Sequence, residues 1–168
     1  MVAKNSEPTT TSDQDIVITR VFDAPRELVW KAWTEPERLM RWWAPKGFTT
    51  PVCKVDLRPG GVFHYCMRSP EGRDIWGIAV YREIVEAERI VYTDAFADAE
   101  GNPVPPAHYG MSSGHPPEAL VTVTFAERGG KTTLTLLHSI PESVEEREGT
   151  QQGWTEMLDR LAQELAKA

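Results

Sequence analysis

The hydrophobic pattern changes period repeatedly along this chain, and each change marks an element. Residues 15–22, DIVITRVF, alternate apolar with polar side chains and are rich in β-branched residues, which predicts a strand. Asp23 is then placed to cap a helix whose first turn holds Pro25 and Glu27, with Val29, Trp30 and Trp33 as its apolar stripe. Pro36 opens a second short helix over residues 36–43, with Leu39, Trp42 and Trp43 at i, i+3 and i+4. Adjacent indoles cannot both enter one core from a single helix face. Trp42 therefore continues the Leu39 face inward, while Trp43, 100° further round, is free to meet the following loop or a cavity mouth.

Alternation then returns. PVCKVDLRPGGVFHYCMR reads as two strands around Gly60 and Gly61, and RDIWGIAVYREIVEAERIVYTDAFAD as two more that turn near Glu86 to Glu88. Phe63 and Tyr65 share one face and His64 and Cys66 the other; both faces carry apolar members, so the inward one stays open. Residues 100–118 hold five prolines and three glycines and form a long loop. EALVTVTFAERGGKTTLTLLHSI is a hairpin with Gly129-Gly130 as its two-residue turn. Counting outward pairs Phe125 with Leu134, Val123 with Leu136 and Val121 with His138 on an apolar face. Thr124 with Thr135 and Ala126 with Thr133 lie on the other. Finally Trp154, Met157, Leu158, Leu161, Ala162 and Leu165 recur at helical spacing opposite Glu156, Asp159, Arg160, Gln163 and Lys167. The acidic stretch upstream can extend that helix, although Gly149 and Gly153 each weaken it by roughly 1 kcal/mol relative to Ala.

The order is thus one strand, two short helices, six strands and a long helix: an α+β layer in one domain over residues 15–168, behind a polar leader over residues 1–14 expected to be disordered. One amphipathic helix is too narrow to fill a strongly curved sheet, so loops, the short helices or a ligand must occupy the remaining space.

Composition removes several functions. A formal net charge of −7 disfavours nucleic acid and anionic lipid surfaces as partners. No apolar run approaches the roughly 18 residues of a membrane helix, and the leader lacks the apolar core of a secretory signal, so a cytoplasmic setting is expected. Cys53 falls opposite Met67 or Arg68 and faces away from Cys66, which argues against a disulfide; two thiols are also too few for zinc. No nucleophile elbow, P-loop or dinucleotide fingerprint occurs, and RPGGVF is a hairpin turn rather than a phosphate cradle because no helix follows it.

The element order and the stretches ITRVFDAPRELVWKAWTEPERLMRWWAPKGFT, DLRPGGVFHYCMRSPEG, GIAVYREIVEAERIVYTD, VTVTFAERGGKTTLTLLHS and GWTEMLDRLAQEL resemble the helix-grip fold of the START/Bet v 1-like (SRPBCC) superfamily. The branch they look most like is that of activator of Hsp90 ATPase homologue 1-like proteins. The resemblance implies a curved, mostly antiparallel sheet of about seven strands wrapped on the long C-terminal helix. It also implies a deep apolar cavity, closed by the two short helices and by loops.

Within that frame the candidate ligand-binding residues are Trp42, Trp43, Phe48, Trp76, Phe96, Tyr109, Met111, Val123, Leu136, His138, Trp154, Met157 and Leu161. One indole of the pair and Phe48 would line the chamber, His138 would fix a polar end of a greasy ligand, and Tyr109 and Met111 would plug the mouth. The competing reading of each is ordinary packing. No catalytic residue, metal or cofactor is assigned; His108 and His115 lack further ligands. The expected function is binding of an apolar or amphipathic small molecule, such as a lipid, polyketide or aromatic metabolite, by a chain that is compatible with a homodimer. The alternatives are a cyclase- or hydrolase-type enzyme using His138 or a loop histidine, and an Hsp90 co-chaperone, suggested only by the family name.

Overall fold

The computed structural model describes residues 15–110, 118–139 and 144–167; the leader over residues 1–14 and the loop residues Met111 and His115 lie outside the described residues. Strand β1 (Ile16–Phe22) leads into helices α1 (Arg26–Thr34) and α2 (Pro36–Leu39). Strands β2 (Thr49–Val55), β3 (Val62–Arg68), β4 (Asp74–Val85), β5 (Arg89–Ala97), β6 (Glu118–Arg128) and β7 (Lys131–Ser139) follow, and helix α3 (Val144–Ala166) ends the described chain. The strands form one seven-stranded antiparallel sheet in the order β1-β7-β6-β5-β4-β3-β2. This is the α+β helix-grip architecture.

Two register irregularities help to curve the sheet around α3. One lies between Thr49 and Val52 of β2, the other between Tyr81 and Glu83 of β4. A bulge bends its strand and raises the local twist. The β6–β7 hairpin adopts the register that its alternation demands, with Phe125 opposite Leu134, Val123 opposite Leu136 and Val121 opposite His138. Its turn needs positive φ at both central residues, and Gly129 and Gly130 supply 62° and 80°.

Three local expectations are corrected. Pro25, not Asp23, occupies the N-cap of α1, with no side-chain cap; α1 therefore begins at Arg26. Helix α2 stops at Leu39 rather than continuing to residue 43. The next residues tighten into turns, with Trp42 N–H donating to the Leu39 carbonyl and Ala44 N–H to the Trp42 carbonyl. Once off the helix, the adjacent indoles escape its geometry, and both are buried, at 0% and 2% exposure. Cys53 lies opposite Tyr65, not Met67 or Arg68. The loop after β2 is longer than a two-residue turn, because Arg58 N–H bonds to the Asp56 carbonyl and Gly61 N–H to the Arg58 carbonyl. A Cβ on Gly61 would lie 2.0 Å from the Asp56 carbonyl oxygen, so this turn requires glycine. Cys53 and Cys66 still face opposite ways and are unpaired by disulfide.

Candidate functional site

The short helices decide how much room remains beneath the sheet. Trp30 and Trp33 of α1 and the Trp42-Trp43 pair all enter the core. Trp33 is the hub: its ring centroid is 4.9 Å from Trp42, 5.6 Å from Trp43, 6.3 Å from Phe125 and 6.1 Å from Trp154. Edge-to-face contacts dominate, as the aromatic quadrupole prefers. Trp42 is locked by its indole N–H, which donates to the Ala32 carbonyl at 2.9 Å. The half of the interior under α1 is thus packed with indoles and their core neighbours.

The other half is different. Beside the N-terminal half of α3, a chamber of about 170 Å³ is lined by Trp43, Tyr65, Met67, Asp94, His138, Thr150, Gly153, Trp154 and Met157. Its floor is low because the sheet carries short side chains there: Asp94 sits between Ala79 on β4 and Ala119 on β6. Tyr65 sits across from Gly77. A Cβ on Gly77 would stand 2.3 Å from the Tyr65 ring carbon that bears the hydroxyl. Only glycine lets the phenol lie flat over β4, and that posture delivers its hydroxyl to Asp94 Oδ1 at 2.8 Å.

Desolvation dominates at Asp94 and pushes its carboxyl up from the ordinary 3.8 to about 7, with the hydrogen bonds from Tyr65 and the Ala95 backbone opposing the rise. Burial first, and then the neighbouring carboxylate, raise the Tyr65 phenol well above its usual value. The Trp43 indole N–H, directed at the Tyr65 oxygen though short of full hydrogen-bond geometry, acts in the opposite sense. Across the chamber, the Trp154 indole N–H donates to His138 Nδ1 at 3.2 Å, which places the neutral ring's proton on Nε2.

Of the residues singled out from sequence, Trp43, His138, Trp154 and Met157 meet in this chamber. Trp42, Val123, Leu136 and Leu161 belong to the solid core beside it. Trp76 lies on the opposite face of the sheet, stacked on His64 with centroids 5.0 Å apart. Phe48 lies outside as well, in an open groove with Lys46, Glu156, Asp159 and Arg160. Phe96 and Tyr109 pack together at 5.5 Å near the chamber end of the sheet, where the Tyr109 hydroxyl bonds the Ala97 carbonyl and the Trp76 N–H donates to it at 3.1 Å. The sequence leaves Asp94 as an unplaced neighbour for His138 and Tyr65 as a strand aromatic of undecided face, and it gives no sign of Met67. The available signal was an acidic residue on the same strand face as Ile90 and Tyr92, flanked across the sheet by alanines.

Arg160 supports the site from behind. The helical pattern puts it on the polar face, yet its guanidinium is half-buried and donates to the carbonyls of Ala44 (2.7 Å), Pro45 (3.2 Å), Phe48 (3.2 Å) and Arg41 (3.2 Å). It thereby clamps the segment carrying Trp43 onto α3. Burial pushes the Cys53 thiol up to about 12 and that of Cys66 to about 11, so neither supplies a thiolate nucleophile near neutral pH. Among the described residues no cluster of His, Cys, Asp and Glu could hold a metal ion, and no helix is long and apolar enough to cross a membrane.

Comparison with known proteins gives a family model described as activator of Hsp90 ATPase homolog 1-like protein, matched over residues 23–166. No curated protein matches the chain. Among solved structures, the chain is similar to a protein from Chromobacterium violaceum, with 29% identity, 92% of this chain and 98% of that one covered, and a TM-score of 0.73. A protein from Nitrosomonas europaea is 26% identical over 94% of this chain and 97% of that one, with a TM-score of 0.72. The AHSA1 protein from Silicibacter pomeroyi, 23% identical over 90% of this chain and 97% of its own, shares the fold at a TM-score of 0.71.

Proposed function

The chain belongs to the activator of Hsp90 ATPase homolog 1-like family, and from that premise we propose that it binds a small, mostly apolar molecule in the chamber between the sheet and α3. The observation that carries this reading is an open-mouthed space of about 170 Å³ beside the indole-filled core, walled by Trp43, Met67, Trp154 and Met157 and reaching Asp94. Most walls are apolar and a few polar groups converge, the usual make-up of a ligand site.

Size narrows the ligand. An apolar cavity of about 150 Å³ accepts benzene. The chamber suits one substituted ring, an aromatic metabolite rather than a long-chain lipid or a polyketide, most of which would remain outside a space of this size. Burying about 200 Å² of apolar ligand surface contributes about 5 kcal/mol, partly offset by lost translational and rotational freedom. The expected affinity is therefore in the micromolar to millimolar range. A cytosolic carrier, alone or as a homodimer, is the setting this reading assumes.

Native mass spectrometry of freshly purified protein and a thermal-shift series with substituted benzenes test it. A co-purified small molecule, or a rise in Tm with ring-sized compounds that Gly153→Leu abolishes, supports the reading. No shift with any ring compound, together with an empty native spectrum, refutes it.

A second reading, an enzyme on the same scaffold, is favoured by one observation: the hydrogen-bonded pair of the half-buried Asp94 and the buried Tyr65, in which desolvation holds the carboxyl up at about 7, is equipped to move protons. This relocates the chemistry from His138, whose Nδ1 is engaged by Trp154, to Asp94. Turnover that survives His138→Ala and vanishes in Asp94→Asn would support it. The co-chaperone reading has only the family's description behind it; an unchanged Hsp90 ATPase rate on addition of this protein would dismiss it.

A further inference from the structure

The polar groups at the Asp94 end of the chamber donate inward. The Tyr65 hydroxyl gives its single proton to Asp94 Oδ1 at 2.8 Å, and the Ala95 backbone N–H is also drawn to that carboxyl. The Trp43 indole N–H is directed at the Tyr65 oxygen and is sealed off from the chamber space. These three donors are spent within the protein. The carboxylate is placed differently. Asp94 lines the chamber and is only half-buried, so part of it is reachable from that space. What this end holds out to a ligand is an acceptor.

The aromatic walls carry the same sign. Trp43 stands nearly perpendicular to both Tyr65 (74°) and Trp154 (82°), and each of their centroids is 5.7 Å from its own. Rings set at steep angles around one space present their surfaces to it from different directions. Tyr65 lies flat over Gly77, which turns the other face of its ring away from the sheet and toward α3. An aromatic face attracts a cation held within about 6 Å of its centroid, most strongly where water is excluded.

The protein brings no counter-charge. Asp94 is faced by Tyr65 on β3, by Tyr92 on its own strand with Tyr81 opposite Tyr92 on β4, and by His138 across the chamber on β7. His138 accepts from Trp154 at Nδ1 and is thereby the uncharged ring. Helix α3 brings Thr150, Gly153, Trp154 and Met157, none of them ionisable, and among the described residues no Lys or Arg lines the space. A desolvated carboxylate without a partner charge is costly, and a cation supplied by the ligand removes that cost. A carboxylate or phosphate ligand would add a second negative charge beside Asp94. A wholly apolar ring would leave the carboxylate unanswered.

Resting on the binding reading, we propose that the molecule held here is a small ring-bearing amine in its ammonium form, its nitrogen donating to the Asp94 carboxylate beside Tyr65 and Trp154 and its ring lying against Met67 and Met157. Gly153 leaves the way in, because a Cβ at that position would meet nothing within 4 Å. Binding needs the ionised carboxylate.

The test compares benzylamine, an ammonium ion at neutral pH, with ethylbenzene and benzyl alcohol, which carry a methyl and a hydroxyl in place of the charged nitrogen. Calorimetry gives affinity, and nuclear Overhauser contacts from the benzylic protons give position. Near pH 8, benzylamine is expected to bind at least about tenfold more tightly than either neutral compound, with its benzylic protons against the rings of Tyr65 and Trp154. Its affinity should rise about tenfold between about pH 6 and about pH 8.5, as a carboxyl that titrates at about 7 ionises. Asp94→Asn, which keeps the shape of the side chain, should bring benzylamine and ethylbenzene within about threefold of each other and remove the pH dependence.

Ethylbenzene or benzyl alcohol binding as tightly as benzylamine overturns the assignment of a cation while leaving the chamber a binding site. So does a preference for benzylamine that survives Asp94→Asn, or benzylamine affinity that stays level or falls as pH rises. Failure of all three compounds to bind overturns both the assignment and the binding reading beneath it.

Discussion

Replacing Asp94 with Asn should stabilise this protein at alkaline pH and do almost nothing in acid. In the folded state the Asp94 carboxyl titrates at about 7 against an ordinary 3.8. The folded protein therefore holds this proton more tightly than the unfolded chain does. Below about pH 4 both states are protonated and the group contributes nothing. Between about pH 4 and 7 the unfolded chain ionises first, so stability falls as pH rises; above about 7 the whole penalty is present. A displacement of about 3 pH units corresponds to about 4 kcal/mol, and access of solvent to the chamber reduces this to about 2 kcal/mol. Asn does not titrate, and its carbonyl oxygen can still accept from Tyr65. Urea unfolding followed by circular dichroism should show the variant more stable by about 2 kcal/mol near pH 8.5, a rise of about 4–8 °C in Tm for a chain of this size. Near pH 4 the two proteins should agree within about 0.5 kcal/mol. A gap that is the same at both pH values, or an Asn variant that is weaker in alkali, would show that ionisation of Asp94 does not weaken the fold.

Gly77→Ala should cost about 2–4 kcal/mol in urea unfolding, because the new methyl meets the Tyr65 ring at 2.3 Å and strips Asp94 of its partner; in a Tyr65→Ala background the same change should be nearly neutral. Arg160→Met releases four carbonyls around the Trp43 segment and should cost about 2–3 kcal/mol, with weaker ring-compound binding measured by calorimetry. Thr132→Val removes the hydroxyl that donates to the Ala24 carbonyl at 2.7 Å in a fully buried position and should cost about 1–2 kcal/mol by the same unfolding assay.

Much of the fold was legible because its signals are local. The Gly129-Gly130 turn fixes the β6–β7 register by counting, and the α3 stripe follows from spacing alone. The twin indoles were misjudged because the helix that would have separated them ends at Leu39, a consequence of turns that no periodicity reveals. The pairing of Cys53 failed because the loop from Asp56 to Gly61 closes on its own backbone instead of making a two-residue turn. The chamber was the least legible feature. Its volume is a difference between the span of the sheet and the bulk of four indoles arriving from α1 and from the turns after α2. Asp94 is recognisable in the sequence as a possible neighbour of His138 but cannot be placed, because β3, β4 and β5 carry apolar residues on both faces, with Cys66 and Ile78 outside and Phe63 and Ala79 inside, so alternation alone does not say which face is covered. Once the inward face is known, the small residues around Asp94 read as a floor.

The central claim is that open space beside α3 accepts a ring. Diffraction from crystals soaked in bromobenzene, with bromine located by its anomalous signal, tests it most directly. A bromine peak is expected between Trp43, Met67, Trp154 and Met157. Protein atoms closing that space, with bromine absent or found only in the outer groove beside Phe48, would contradict it.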